Sequence, residues 1–191
     1  MLHTMSTQSP PESVGLIQSS ESMLQHLQRR NCNVSLHNPA IDEENYLATF
    51  YLWNLSGGLV GFQQYNPRSS KKKSNCPREC RYYTYRKQPT VSVFGVESLY
   101  LSETVFIFEG IFDACRMISL GYSSIATLSN DPKELRDWIW CLNRKTVSVC
   151  DNDKAGIKLK KYSDNFIVCP EKDFSDSSDE FVKYVIETYG Q

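Results

Sequence analysis

The chain has no run of about 18 uninterrupted apolar residues, so we expect no transmembrane helix. It has no Gly-x-x-x-x-Gly-Lys-Ser/Thr motif, which excludes the phosphate-cradling loop of a P-loop helicase engine. Residues 1–15 lack the basic start and apolar core of a secretion signal, and we expect residues 1–19 to form a flexible polar tail. The three histidines, His3, His26 and His37, follow no pattern of nucleophilic catalysis.

Composition and cysteine usage favour a protein of the cytoplasm with no membrane association. The 191 residues are 40% hydrophobic and 23% charged, with a net charge of −1, which suits one compact domain with appendages. Seven cysteines, an odd number spread through apparent strands and helices, indicate reduced thiols. Cys76 and Cys80 have the spacing of half a zinc site, but no second pair lies at a suitable distance, so zinc binding is left open.

Two acidic motifs each follow a short apolar run. Glu109-Gly-Ile-Phe-Asp113 comes after residues 105–108, and Asp151-Asn-Asp153-Lys-Ala-Gly comes after residues 146–150. These runs predict buried strands, and open α/β sheets bind ligands at the carboxyl ends of their strands. Asp151 and Asp153 are one residue apart, which sends both carboxylates to the same side of an extended chain.

Crowded carboxylates require a neutralising partner. Two like charges about 4 Å apart repel by roughly 4 kcal/mol at an effective dielectric constant near 20. A hard cation such as Mg²⁺ relieves this repulsion, and proteins hold Mg²⁺ through one or two carboxylates together with water and substrate phosphate. The alternative is that the acids are helix caps and turn formers. One motif alone would favour that alternative, whereas two motifs at successive strand ends favour a metal site.

The two motifs resemble those of the Toprim domain, a metal-binding α/β module of DNA primases, type IA and II topoisomerases and some nucleases. A third element, residues 166–176 with its Lys172-Asp173 turn, is most similar to the bacterial and bacteriophage primases, and the resemblance covers residues 103–182. It implies Mg²⁺, with Mn²⁺ as a substitute. The implied catalytic residues are Glu109, Asp151 and Asp153, and the implied metal ligands are these three with Asp113 and Asp173.

The second half of the chain alternates strand and helix patterns. Four apolar strands at residues 104–108, 124–128, 146–150 and 165–169 predict an α/β fold with a parallel four-stranded sheet flanked by helices, over residues 101–191. A helix is expected from an Asp131 cap to about residue 143, with Trp138 and Trp140 as packing residues. A second helix is expected after Gly156, with apolar Ile157, Leu159 and Tyr162.

Residues 20–100 predict a smaller α+β basic subdomain. A helix begins near residue 20, strands at 46–54 and 59–65 flank a turn at 55–58, and residues 81–86 form a third strand. The segment 68–87 combines basic residues that suit phosphates with tyrosines that suit base stacking. A solvated hairpin tip beside a half-buried strand is an equal alternative, and the primase resemblance favours binding. The candidate nucleic-acid or nucleotide contacts are Arg68, Lys71, Lys72, Lys73, Arg81, Tyr83, Arg86 and Lys87.

The resemblance implies a primase-type DNA-directed RNA polymerase that makes short RNA primers on single-stranded DNA from ribonucleoside triphosphates. It would serve phage DNA replication in a bacterial host cytoplasm, with a helicase or template-recognition protein as a further partner. Two alternatives stay open: a Toprim metal-dependent nuclease, and a non-catalytic nucleic-acid-binding accessory factor. The chain departs from primases in two respects, since no amino-terminal zinc module is visible and the turn at residues 128–131 lacks a glycine.

Overall fold

The computed structural model describes residues 21–54, 56–87 and 91–190. The expected tail at residues 1–19 and Leu55 of the expected hairpin turn lie outside the described residues. Two four-stranded sheets make up the fold, one antiparallel and one parallel. Among the described residues, no helix is both long and apolar enough to cross a membrane.

The amino-terminal part is a pair of short helices and the antiparallel sheet. Helix α1 (Met23–Arg29) begins at Ser22, whose side chain and that of Gln25 form a reciprocal capping box. Helix α2 (Val34–His37) follows, and the sheet has the order β1 (Ala40–Asp42), β2 (Leu47–Trp53), β3 (Leu59–Tyr65) and β4 (Tyr82–Arg86). The predicted helix, hairpin and third strand are confirmed. Strand β1 was not predicted from the sequence.

The carboxyl-terminal part contains the predicted parallel sheet. Its elements are β5 (Val105–Phe108), α3 (Ile111–Ser119), β6 (Ser123–Ala126), α4 (Arg136–Cys141), β7 (Thr146–Cys150), β8 (Asn165–Val168) and α5 (Asp179–Tyr189). The strand order is β6-β5-β7-β8, and every neighbouring pair is parallel. Short 3-10 helices lie at Pro77–Glu79, Val96–Ser98, Lys133–Leu135, Gly156–Tyr162 and Phe174–Asp176.

An aromatic core joins the two parts. Phe112 of α3 contacts the edges of Phe50 and Tyr65, with ring centroids 5.8 Å and 4.8 Å away. The segment between the sheets also pairs with both of them. Val93 forms an isolated antiparallel β-bridge with Trp53 of β2, and Phe94 forms one with Ala126 of β6. The inner face of the antiparallel sheet therefore lies against α3, beside the carboxyl edge of the parallel sheet. The domain boundary at residue 100 stays a prediction.

Two predicted helices differ from those observed. The first begins as a 3-10 turn at Lys133 and ends at Cys141, and Asp131 accepts a hydrogen bond from the Tyr162 hydroxyl instead of capping it. The segment after Gly156 is a 3-10 helix, because its buried residues Gly156, Leu159 and Tyr162 recur every three positions and share one face only at three residues per turn. Trp140 is 66% exposed, so its predicted packing role was wrong.

Candidate active site

The parallel sheet places four acidic side chains at one edge. Glu109 follows β5 directly, Asp151 follows β7 directly, and Asp173 lies in the turn after β8. Asp113 lies in the first turn of α3, which begins two residues after Glu109. Because β5, β7 and β8 are parallel neighbours, with Ile107 opposite Ser148 and Cys150 opposite Val168, their carboxyl ends meet.

These four acids line a single cavity of about 370 Å³. The opposite wall comes from the amino-terminal part, namely Arg30 after α1, Gln63 of β3, and Tyr82 and Thr84 of β4. Gln63 donates a hydrogen bond of 2.8 Å from its side-chain amide to the Thr84 hydroxyl. The cavity is therefore acidic on the side of the parallel sheet and neutral to basic on the side of the antiparallel sheet.

Two motif glycines permit the close packing of this edge. A Cβ atom at Gly156 would lie 2.7 Å from the Asp151 Cβ and 2.8 Å from the Asp151 carbonyl oxygen. A Cβ atom at Gly110 would lie 2.5 Å from an Asp113 carboxylate oxygen. Side chains at either position would displace an acid of the cavity, which gives the glycines of both motifs a positioning role.

Burial and mutual repulsion raise the pKa values of three cavity acids. Burial raises the pKa of Asp113 to about 7, aided by the charges of Asp173 and Asp151 and opposed by the Ser175 amide. Burial also raises the pKa of Asp151 to about 7, aided chiefly by Glu109 and Asp173. The pKa of Glu109 is raised by burial and by the charge of Asp153. Neutral pH is therefore close to the titration range of this site.

Asp153 differs from the other acids of the two motifs. Its Oδ1 accepts the backbone N–H groups of Ala155 at 2.8 Å and of Gly156 at 2.6 Å. These bonds lower the pKa of Asp153, whose side chain is exposed and does not line the cavity. Asp153 thus fixes the turn that presses Gly156 onto Asp151, whatever further role it has.

Ser175 links the acids of α3 and of the turn after β8. Its backbone N–H donates to Asp113 Oδ1 at 2.7 Å, and its hydroxyl donates to Asp173 Oδ1 at 3.0 Å. Asp173 also accepts the Asp176 N–H at 3.2 Å, so this carboxylate caps the 3-10 helix that follows. Both carboxylates are held in place by the hydrogen bonds that they accept.

The donor chemistry of the cavity fits a hard divalent cation. Carboxylate oxygens are the protein ligands of Mg²⁺. Burial and neighbouring carboxylates raise the pKa values of Asp113 and Asp151 more than the charges of Arg30 and Lys172 lower them. In the part of the chain that the structure describes, no group of three or more His, Cys, Asp or Glu side chains is already arranged to hold a metal ion. Binding would therefore require rotation of the carboxylates towards a common point.

A second hollow, of about 480 Å³, adjoins the acidic cavity. Tyr82 and Thr84 line both, and the hollow is also lined by Tyr83 and by Lys72 and Lys73, which are exposed. A basic surface therefore continues from the acidic cavity. Lys71 is turned to another partner, since its Nζ lies 2.7 Å from a carboxylate oxygen of Glu79.

The remaining predicted basic contacts lie outside both cavities. Arg68 covers the ring of Tyr46 at 4.3 Å, and Arg86 pairs with Glu134 at 3.3 Å. Arg81 and Lys87 are exposed at the two ends of β4. The structure thus brings together Lys72, Lys73 and Tyr83 of the predicted set, and it separates Arg68 and Arg86 from them. Cys76 is exposed and Cys80 is buried, both as free thiols.

Sequence reasoning missed four residues of the cavity wall. Tyr82 stacks on Tyr65 with ring centroids 5.1 Å apart, whereas Tyr83 points to the other face of the sheet and contacts Phe62. Period-two alternation in the expected strand could have separated these two tyrosines. Arg30 lies 4.3 Å over the ring of Phe112 and donates a hydrogen bond to the Ser175 hydroxyl. It was missed because it belongs to no recognisable sequence motif. Gln63 and Thr84 likewise carried no signal.

Comparisons with solved structures identify the fold. The RNA polymerase and zinc-binding domains of the Aquifex aeolicus primase match with a TM-score of 0.53 and 18% identity, over 75% of this chain and 40% of that chain. The primase fragment of the bacteriophage T7 primase-helicase matches with a TM-score of 0.54 and 13% identity, over 75% and 63%. A DnaG primase catalytic domain bound to single-stranded DNA matches with a TM-score of 0.51 and 14% identity, over 85% and 64%.

The chain therefore has the Toprim-containing fold of primase catalytic cores, and it is similar to those of DnaG-type primases. It spans between 40% and 64% of the length of these three chains. No protein-family model matches the sequence, and no curated protein sequence matches it. At identities of 18% or less, the likeness concerns the fold.

Proposed function

We propose that the chain is the catalytic core of a primase-type nucleotidyltransferase, which joins ribonucleotides into short RNA primers on single-stranded DNA with Mg²⁺. The observation that carries the proposal is the two-sided cavity. Three acids that follow parallel strands and Asp113 of α3 line a space of about 370 Å³, together with Arg30 after α1 and Tyr82 of the antiparallel sheet. Such a space offers ligands for a metal ion on one wall, and a cation and an aromatic ring for a nucleotide on the other.

In the proposed site, Asp113, Asp151 and Asp173 hold the metal ion, and Glu109 either completes the metal site or accepts a proton. Bound Mg²⁺ would neutralise charge on the triphosphate during in-line attack. Asp153 keeps the turn beside Asp151 in place through its bonds to Ala155 and Gly156. Arg30, whose guanidinium is already oriented by the Phe112 ring and the Ser175 hydroxyl, supplies a positive charge for the triphosphate.

The proposed reaction joins two nucleotides. The 3′ hydroxyl of one nucleotide forms a bond to the α-phosphorus of the next ribonucleoside triphosphate, and the bond to the leaving pyrophosphate breaks. Glu109 is the proposed acceptor of the hydroxyl proton, because it is half-buried and its pKa is raised towards the working range of a general base. A carboxylate of ordinary pKa would be a weaker base at neutral pH.

The template is proposed to run along the basic hollow. Lys72 and Lys73 suit its phosphates, and the tyrosine rings of β4 suit its bases. A fold neighbour binds single-stranded DNA, and another is part of a primase-helicase, which supports a DNA template and a helicase partner for this chain. The likeness to a bacteriophage T7 fragment also supports a role in phage replication, in the cytoplasm of a bacterial host.

The experiment supplies the protein with single-stranded templates, ribonucleoside triphosphates and Mg²⁺, and it measures both oligoribonucleotides and template fragments. We expect oligoribonucleotides from the wild type, none from Asp151→Asn, and wild-type yield from Asp137→Asn, which removes an exposed acid of α4. Metal-dependent cutting of the template without synthesis would refute the proposal and indicate that the protein is a nuclease. Template binding without either reaction would replace it with an accessory factor.

A further inference from the structure

Arg116 lies on α3 about one turn after Asp113, and its side chain is largely buried, with 11% exposed. Its Nη1 donates hydrogen bonds to the backbone oxygens of Phe174, Ser175 and Ser177, at 2.9 Å, 3.3 Å and 2.6 Å. Its guanidinium carbon lies 5.6 Å from the centre of the Phe174 ring. One cation of α3 therefore holds three carbonyl groups of the turn after β8.

The ion pair of Arg116 does not account for this arrangement. Its Nη2 lies 2.7 Å from a carboxylate oxygen of Asp179, whose side chain is 98% exposed. Exposed ion pairs contribute little to stability because water and salt screen them. The carbonyl bonds are therefore the specific part of the Arg116 environment, and they require a donor with several N–H groups in one plane.

The peptide group between Phe174 and Ser175 connects Arg116 with Asp113. Because a trans peptide group is planar, its C=O and N–H bonds point in opposite directions within one plane. Arg116 donates to the Phe174 oxygen of this group, and the Ser175 N–H of the same group donates to Asp113 Oδ1 at 2.7 Å. Both side chains belong to α3, so one helix holds the two ends of the peptide group.

The next peptide group connects Arg116 with Asp173. Arg116 donates to the Ser175 oxygen, and the Asp176 N–H of the same group donates to Asp173 Oδ1 at 3.2 Å. Hydrogen bonds at the two ends of a peptide group polarise and strengthen each other. The Phe174 ring is 0% exposed and fixes where the turn lies, but a ring contact does not set the direction of the N–H groups. The bonds from Arg116 set that direction.

We propose that Arg116 is a positioning residue for the metal site, because it orients the two peptide groups whose N–H bonds hold Asp113 and Asp173. The inference rests on the metal site of the proposed function and does not depend on the synthesis of primers. The two acids come from different elements, a helix and a turn, so a shared anchor is needed to keep them together when both are charged. Groups that orient metal ligands in this way typically change metal affinity by about 10–100-fold.

The test measures the Mn²⁺ affinity of the full chain by isothermal titration calorimetry and the amide hydrogen exchange of the metal-free chain by NMR. We expect Arg116→Ala to weaken Mn²⁺ binding by about 10–100-fold. Without metal, the Ser175 amide should exchange faster in the variant, whereas the amide of Ile107, which is 0% exposed in β5, should exchange as in the wild type. A variant that had only lost overall stability would show faster exchange at both amides.

Chemical rescue separates the guanidinium group from its charge. Arg116 lines a surface hollow of about 340 Å³ between α3 and α5, so its truncation opens a path from solvent to the three carbonyl groups. Guanidinium chloride, well below the concentration that unfolds the chain, should restore most of the Mn²⁺ affinity of Arg116→Ala. Methylammonium chloride has the same charge without the planar fork and should not restore it. Lys183→Ala removes a positive charge from the same hollow and should leave Mn²⁺ affinity unchanged.

If Arg116→Ala does not fold, Arg116→Lys replaces it, because lysine keeps the charge and most of the stem but lacks the fork. It should still weaken Mn²⁺ binding and speed exchange of the Ser175 amide. Wild-type Mn²⁺ affinity in the folded variant, equal effects of guanidinium and methylammonium, or faster exchange at Ile107 as well as Ser175 would overturn the proposal. Absence of Mn²⁺ binding by the wild type would overturn it together with the metal site. Failure of primer synthesis alone would be distinct, since Mn²⁺ affinity would still depend on Arg116.

Discussion

Replacing Asp113 by Asn should stabilise the metal-free protein, and the gain should grow with pH. The carboxyl is 7% exposed, and burial together with Asp173 and Asp151 raises its pKa from 3.8 to about 7. Asparagine keeps an oxygen for the Ser175 N–H, which Asp113 accepts at 2.7 Å, and it cannot ionise. The substitution therefore removes the charge and leaves the local packing almost unchanged.

The expected magnitude follows from proton linkage. A folded-state pKa raised above the unfolded value means that the neutral carboxyl contributes stability below about pH 4 and loses it as the pH rises through about 7. Since a tenfold change in ionisation corresponds to about 1.4 kcal/mol, the loss is about 2 kcal/mol at pH 5 and about 4 kcal/mol at pH 8. The difference in unfolding free energy between the variant and the wild type should therefore grow by about 2 kcal/mol from pH 5 to pH 8.

The assay is urea unfolding of both proteins with a chelator at about pH 5 and about pH 8. Asp137→Asn, on the exposed side of α4, provides the matched control and should show no pH-dependent gain. Adding Mn²⁺ at pH 8 should raise the unfolding free energy of the wild type more than that of the variant, because a ligand of the native state stabilises it by mass action. An equal difference between wild type and variant at both pH values would refute the electrostatic reasoning.

Three further predictions concern the site. Asp151→Asn should abolish metal-dependent turnover with the circular dichroism spectrum unchanged, and unaltered Mn²⁺ affinity would contradict its role as a ligand. Gly156→Ala should lose activity and about 1–3 kcal/mol of unfolding free energy, because its Cβ would lie 2.7 Å from that of Asp151; wild-type kinetics would show that the turn adapts. Lys72→Gln with Lys73→Gln should reduce the salt slope of single-strand binding by up to about 0.7 per lost contact, measured by fluorescence anisotropy, and an unchanged slope would place the template elsewhere.

The parallel sheet and its acids could be predicted because their signals are local. Every residue of β5 and of β7 is buried, so the sequence of each strand is a continuous apolar or small-residue run. Each acid then follows its strand within a few residues, and parallel pairing alone brings Glu109 and Asp151 to one edge. No long-range information was needed for that step.

The opposite wall could not be predicted because it depends on long-range packing. Arg30 reaches the site through contacts with Phe112 and Ser175, which are 82 and 145 positions away in the sequence. The contact of His37 with Glu97 spans 60 positions. No single-sequence pattern records such pairs.

Helix type and backbone strain were decided by tertiary context as well. The helix pattern after Gly156 became 3-10 because the turn bound by Asp153 and the burial of Leu159 and Tyr162 favour three residues per turn. At the turn after β6, where the sequence offers no glycine, Leu128 itself takes a left-handed φ of +58°. A non-glycine residue pays for that conformation in stability, by about 1–2 kcal/mol.

The rigidity of the strands keeps the backbone positions of the acids close together. Glu109 and Asp151 are attached to two fully buried strands that are hydrogen-bonded neighbours, and Gly156 packs against the backbone of Asp151. Rotation of the side chains can change the distances between the carboxylates, whereas their charge falls only when a proton or a cation binds. Because the pKa values of Asp113 and Asp151 are both raised to about 7, protons and the metal ion compete for the same oxygens at neutral pH. Cation affinity should therefore rise as the pH increases through about 7, and a pH-independent affinity would mean that the ion binds outside this cavity.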